Sequence, residues 1–185
     1  MLWAQLAGGS PGRKERECAL TDWLAFMTRN DGPKALYLVQ AYAALVLGTA
    51  LIGMIAVSVF SAPEVQVAAS GGGVPQPAQA PPVVAFVLVW PAVSSLVLWG
   101  VLEGLRRVLP TYWHVAGAAA LVFGGLFTWL TDLQGGLIFT WPYFIYALTF
   151  LAWHLRSTLE GVVMTFALQV AAHLTLSVLV FAPVR

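Results

Sequence analysis

The sequence predicts an all-α integral membrane protein: a bundle of about five transmembrane helices preceded by a short cytoplasmic amphipathic helix. Three observations predict it. Of the 185 residues, 59% are hydrophobic and 9% charged, whereas a soluble domain carries roughly a quarter charged residues to face water. Several apolar runs are long enough to cross a hydrocarbon core, which takes about 20 helical residues. Lysine and arginine also gather in alternate connections between those runs, which puts them on one side of the membrane. The net charge of +1 gives no basis for a nucleic-acid partner. One cysteine, Cys18, excludes an internal disulfide and a cysteine metal knuckle. No secretory signal peptide is expected, because the first long apolar run begins near Ala35, too deep and too long for an h-region.

Taken in order, the spans are read at 36–60, 83–105, 113–131, 137–155 and 158–181, within a membrane domain of residues 35–185. All must be helical, because lipid offers no partner to backbone amides. The first ends before Pro63. The stretch 61–82 is rich in Pro, Ala and Gly and has no basic residue, so it reads as a flexible linker outside the membrane. The second span opens at Pro81-Pro82 and closes at Arg106-Arg107, and the third follows Pro110. Asp132 with Gly135-Gly136 separates the third from the fourth, and Arg156 separates the fourth from the fifth.

Orientation follows from the basic residues. Arg13, Lys14, Arg16, Arg29, Lys34, Arg106, Arg107 and Arg156 fall on one side, and only Arg185 on the other. The positive-inside rule puts the N-terminus in the cytoplasm and the C-terminus outside, in a cytoplasmic (inner) membrane. Trp113 and Trp153 at inner ends, and Trp129 and Trp141 near outer ends, are expected to form an aromatic belt.

Residues 1–34 form a cytoplasmic segment of another kind. Leu20, Trp23, Leu24 and Met27 recur at the spacing of one helix face, and Pro33 stops the pattern. This helix either lies on the inner leaflet or packs on the bundle or on a neighbouring subunit. It is the candidate partner-binding surface.

Ionisable groups inside a membrane are costly and are therefore functional candidates. Glu103 stands four residues before Arg107, the spacing of an ordinary helix ion pair. Glu160 follows Ser157 by three, a capping box. Asp132 lies at an outer helix end. His114 and His154 fall at the cytoplasmic interface. His173 is deeper, where an imidazole could ligate a pigment metal or bond to a neighbouring helix. No paired histidine or Glu-x-x-His spacing suggests a metal site, and no Walker, Gly-x-Ser-x-Gly or Cys-x-x-Cys motif occurs. Gly48, Gly53, Gly117, Gly124 and Gly125 are expected to allow close helix contact.

Residues 91–170 resemble the CAAX-protease and bacteriocin-processing (CPBP) family of intramembrane proteases. Its first motif sets a Pro ahead of Glu-Glu-x-x-x-Arg-Gly, with basic and aromatic pairs downstream. Here Pro91 precedes Ser94-Ser95 and Trp99-Gly100, then Arg106-Arg107 and Tyr112-Trp113. The second, Phe-x-x-x-His, is Phe123 to Phe127. The third is a Leu-Arg turn at Leu155-Arg156, followed by Phe166-Ala167-Leu168-Gln169-Val170 in place of His-Ala-Leu-x-Asn. The resemblance implies a protease frame whose catalytic positions are degenerate: Ser94, Ser95, Trp99, Phe127, Phe166 and Val170. It further implies that Phe127 and Phe166 face each other and fill the vacated site. Serine without a base is not a nucleophile, and phenylalanine binds neither proton nor metal.

The expected function is a non-catalytic scaffold or accessory subunit whose partners are the bilayer and other integral membrane subunits. No cofactor is expected. The alternatives are a pigment- or quinone-contacting subunit of a photosynthetic or respiratory complex, with haem or chlorophyll on His173 or His154, and an active intramembrane protease using Glu103. Glu103 is distant in sequence from any histidine, which counts against the latter. A transporter is disfavoured by the scarcity of intramembrane charge.

Overall fold

The computed structural model describes residues 32–60 and 84–181. The helix built on Leu20, Trp23, Leu24 and Met27, the linker 61–82 and Arg185 lie outside the described residues. Among the described residues five helices follow one another: α1 (Lys34–Phe60), α2 (Trp90–Val108) entered through a π-helical turn at Ala85–Val89, α3 (Tyr112–Leu130), α4 (Leu133–His154) and α5 (Thr158–Phe181). Each is long and apolar enough to cross a membrane. The chain is an all-α, multi-pass membrane protein.

Local chemistry sets the boundaries. Pro91 has no N–H and its ring would crowd the carbonyl four residues back. The chain widens there into the π turn, in which the Trp90 N–H bonds to the Ala85 carbonyl. Helix α2 ends at Leu109, which is extended, because the residue before Pro110 is pushed out of the helical region. Asp132 caps α4 by accepting the Gly135 N–H at 2.6 Å. That cap starts α4 at Leu133, four residues before the expected 137, and Gly135-Gly136 is its first turn and not a separator. Gly136 lies against α3, where a Cβ would collide with Thr128 Oγ1 and the Gly124 carbonyl. Ser157 caps α5 by accepting the Glu160 N–H at 3.0 Å. The Glu160 carboxylate does not return to Ser157 as a full capping box would. It pairs with Lys34 of α1 at 2.9 Å.

Helix α4 is the hub. It packs on α1, α3 and α5 and touches α2, whereas the backbones of α1 and α3, of α3 and α5, and of α1 and α2 do not approach each other closely. Every residue from Ile145 to Trp153 is buried, the pattern of a helix enclosed on all sides. Against α3, Phe123 stacks on Tyr143 at 4.1 Å and the Tyr112 hydroxyl donates to the Leu148 carbonyl at 2.6 Å. Against α1, the Trp141 Nε1–H donates to the Ala44 carbonyl at 3.0 Å, with the indole over Gly48. Gly53, Gly117 and Gly125 have open space where a Cβ would be, so they are not close-contact glycines.

The aromatic belt also differs from expectation. Trp129 is 81% exposed and Trp113 38%, as membrane-interface residues should be. Trp153 is wholly buried instead. Tyr37 meets its edge, and Lys34 and Arg156 lie over the ring at 5.6 and 5.2 Å, a cation–π arrangement.

Candidate functional site

Two places bring polar chemistry together. The first is in the bundle interior, where α2, α4 and α5 meet. Ser94 and Ser95 are both buried on α2. The Ser94 hydroxyl donates to Gln169 Oε1 on α5 and more distantly to the Pro91 carbonyl at 3.4 Å. The Tyr143 hydroxyl of α4 also interacts with Ser94. Ser95 Oγ, Thr165 Oγ1 and Gln169 Nε2 are buried with no hydrogen-bond partner among the described residues. A carboxamide accepts a hydrogen bond but does not take up the serine proton, so this cluster holds no activated nucleophile. Its interhelical bonds join α2 to α4 and α5.

The six degenerate positions do not share one site. Ser94 and Ser95 are together. Trp99 lies about one turn further toward the basic end and is 39% exposed. Phe127 is half-buried on α3, stacked on Phe139 at 4.1 Å with Tyr143 beside it. Phe166 and Val170 are half-buried on α5. The backbones of α3 and α5 do not approach each other closely, α4 packs on both, and the rings that Phe127 meets are Phe139 and Tyr143. Phe127 and Phe166 therefore do not face each other or fill one cavity. The side chain that reaches across to Ser94 is Gln169.

Sequence reasoning missed Gln169, although a signal was present. Thr165, Gln169, His173 and Ser177 recur every fourth residue, so they line one stripe of α5. Thr165, Gln169 and Ser177 are buried, and His173 half-buried. Polar side chains repeated at helical spacing inside a span mark the face that meets other helices. His173 Nδ1 donates to the Gln169 carbonyl at 2.8 Å, and its ring meets Phe86 at 4.9 Å. Its own helix and the π turn hold it.

The second place is an open cleft of about 560 Å³ between the ends of α2, α4 and α5, lined by Trp99, Glu103, Arg106, Arg107, His154 and Thr158. Glu103 reaches Arg106 at 3.8 Å and Arg107 at 3.7 Å, the expected helix pair with a second arginine added. The His154 ring stacks on Phe150, and its Nδ1 is buried with no partner among the described residues. Far apart in sequence, Glu103 and His154 line the same cleft, which removes the objection that no histidine is near. Every described Lys and Arg (Lys34, Arg106, Arg107 and Arg156) lies at this end of the bundle, and Asp132 at the other. Among the described residues no three His, Cys, Asp or Glu side chains group as a metal site.

No protein-family model, curated protein or solved structure matches the chain.

Proposed function

We propose that this protein is a non-catalytic scaffold or accessory subunit of a larger membrane assembly, built on a frame that resembles a CPBP protease with its chemistry replaced. The observation that carries this reading is the surroundings of Ser94 and Ser95. Where a protease of that kind would hold ionisable groups to activate water, Ser94 meets a carboxamide, a phenol and a backbone carbonyl. The three described carboxylates, Glu103, Asp132 and Glu160, all stand near helix ends.

The lipid-facing surface supports the same reading. On α1, Leu47, Leu51, Met54 and Ile55 are all more than half exposed, and such a face meets either lipid or another membrane protein. The described basic residues gather at the end where α1 starts, which supports an N-terminus in the cytoplasm and a C-terminus outside the inner membrane. Extraction from native membranes into lipid nanodiscs, followed by mass measurement, tests the proposal. Co-purification of a second integral membrane protein in fixed ratio is expected. A lone chain in both nanodiscs and mild detergent would overturn it.

The second reading is a catalytic site in the cleft, favoured by the shared lining of Glu103 and His154. Glu103 lies at ion-pair distance from Arg106 and Arg107. Cleavage of a membrane reporter by the native protein, abolished by Glu103→Gln, would establish this reading over the first.

A further inference from the structure

We propose that the basic-end cleft binds the phosphodiester of an anionic phospholipid, with the lipid's acyl region lying along Trp99. The fold class is the only premise shared with the functional reading above.

The charge of the cleft comes first. Its lining carries two arginines and one glutamate, so 2 − 1 gives +1 with His154 neutral. That net charge matches a phosphodiester, which carries one negative charge, better than a free phosphate, which carries up to two at neutral pH. The donors come next. Arg106 and Arg107 each approach Glu103 only at 3.7–3.8 Å, beyond good hydrogen-bond distance. Among the described residues neither guanidinium makes a hydrogen bond. Each carries five N–H donors in a planar fork suited to phosphate oxygens. The His154 ring lines the same cleft, stacked on Phe150. Thr158 adds a hydroxyl there, at the first turn of α5, where a helix favours anions.

The direction of the cleft selects a lipid. Leu96, Trp99, Glu103 and Arg106 recur along one stripe of α2. Leu96 is 54% exposed and Trp99 39%. The stripe thus runs from bilayer-facing apolar surface to headgroup-level arginines within three turns. A free anion would use only the polar end of it. A phospholipid uses both ends, and basic pockets between helices at a membrane surface are known to hold acidic headgroups.

Native mass spectrometry of the delipidated full chain tests the proposal, with phosphatidylglycerol, phosphatidylcholine and inorganic phosphate as separate probes. Phosphatidylglycerol should bind about tenfold more tightly than phosphatidylcholine, as two charged contacts at a membrane surface allow. The double variant Arg106→Gln/Arg107→Gln should remove that preference, and Trp99→Ala should weaken both lipids. Arg156 lies over Trp153 and not on the cleft lining, so Arg156→Gln should leave the preference intact. A double Lys variant at 106 and 107, which keeps the charge, should retain most of it and guard against simple misfolding. Equal affinity for the two lipids would overturn the proposal. So would a loss with Arg156→Gln as large as with the double Gln variant, or displacement of phosphatidylglycerol by equimolar inorganic phosphate.

Discussion

Helices α1 and α4 invert the rule that governs soluble proteins. In its most apolar stretch α1 is the more apolar of the two, yet 17% of that stretch is buried; for α4 the share is 56%. In water the more apolar helix would be driven inside. In lipid that force is absent between helices, because the acyl chains are as apolar as leucine. What places α4 at the centre is shape and hydrogen bonding. Gly136 admits α3, Trp141 bonds to α1 over Gly48, and Tyr143 reaches Ser94. The aliphatic residues of α1 offer little of this, and its outward face is left for lipid or for a partner.

The comparison can be broken by substitutions of similar kind on the two helices. Phe150 is 1% exposed on α4, and Phe150→Ala should cost about 3–5 kcal/mol by the scale of soluble cores, read as lost thermal stability in detergent. Smaller and more specific is the interior bond. A double-mutant cycle of Ser94→Ala and Gln169→Leu should give a coupling of about 0.6 kcal/mol, the mean for interhelical bonds in a membrane. A coupling of zero would mean that the cluster does not join α2 to α5. Least of all should be Leu51→Ala on α1, where the side chain is 56% exposed. Its stability should change by less than about 0.5 kcal/mol, and a loss as large as at Phe150 would erase the distinction between hub and periphery.

How much of this could be read in the sequence follows the same line. The number of spans was legible, because span length and charge placement are imposed by the bilayer. Span five was placed at its observed ends. Lateral arrangement was not legible. Lipid and protein interior are equally apolar, so Ile145 to Trp153, buried throughout, reads like any other span. Trp153 reads as a belt residue for the same reason. The glycines show the limit too: Gly124 and Gly125 are neighbours in sequence, but only Gly124 meets another helix. The cleft was hidden by chain distance, since Glu103 and His154 meet only once α2 and α4 are packed. Gln169 was the exception. A polar residue repeated every fourth position in a span carries a signal independent of packing, and it marked the interior face of α5.

The central claim is that the inner helix is complete within this chain while the outer helix presents a face to a partner. A photo-crosslinking phenylalanine analogue at position 51 or at position 150, activated in native membranes, tests it most directly. At Phe150, buried on α4, the probe should give no product heavier than the chain itself. At Leu51, exposed on α1, it should give one discrete band containing a second membrane protein. Crosslinks from position 51 to lipid alone would contradict the account, as would intermolecular products from position 150.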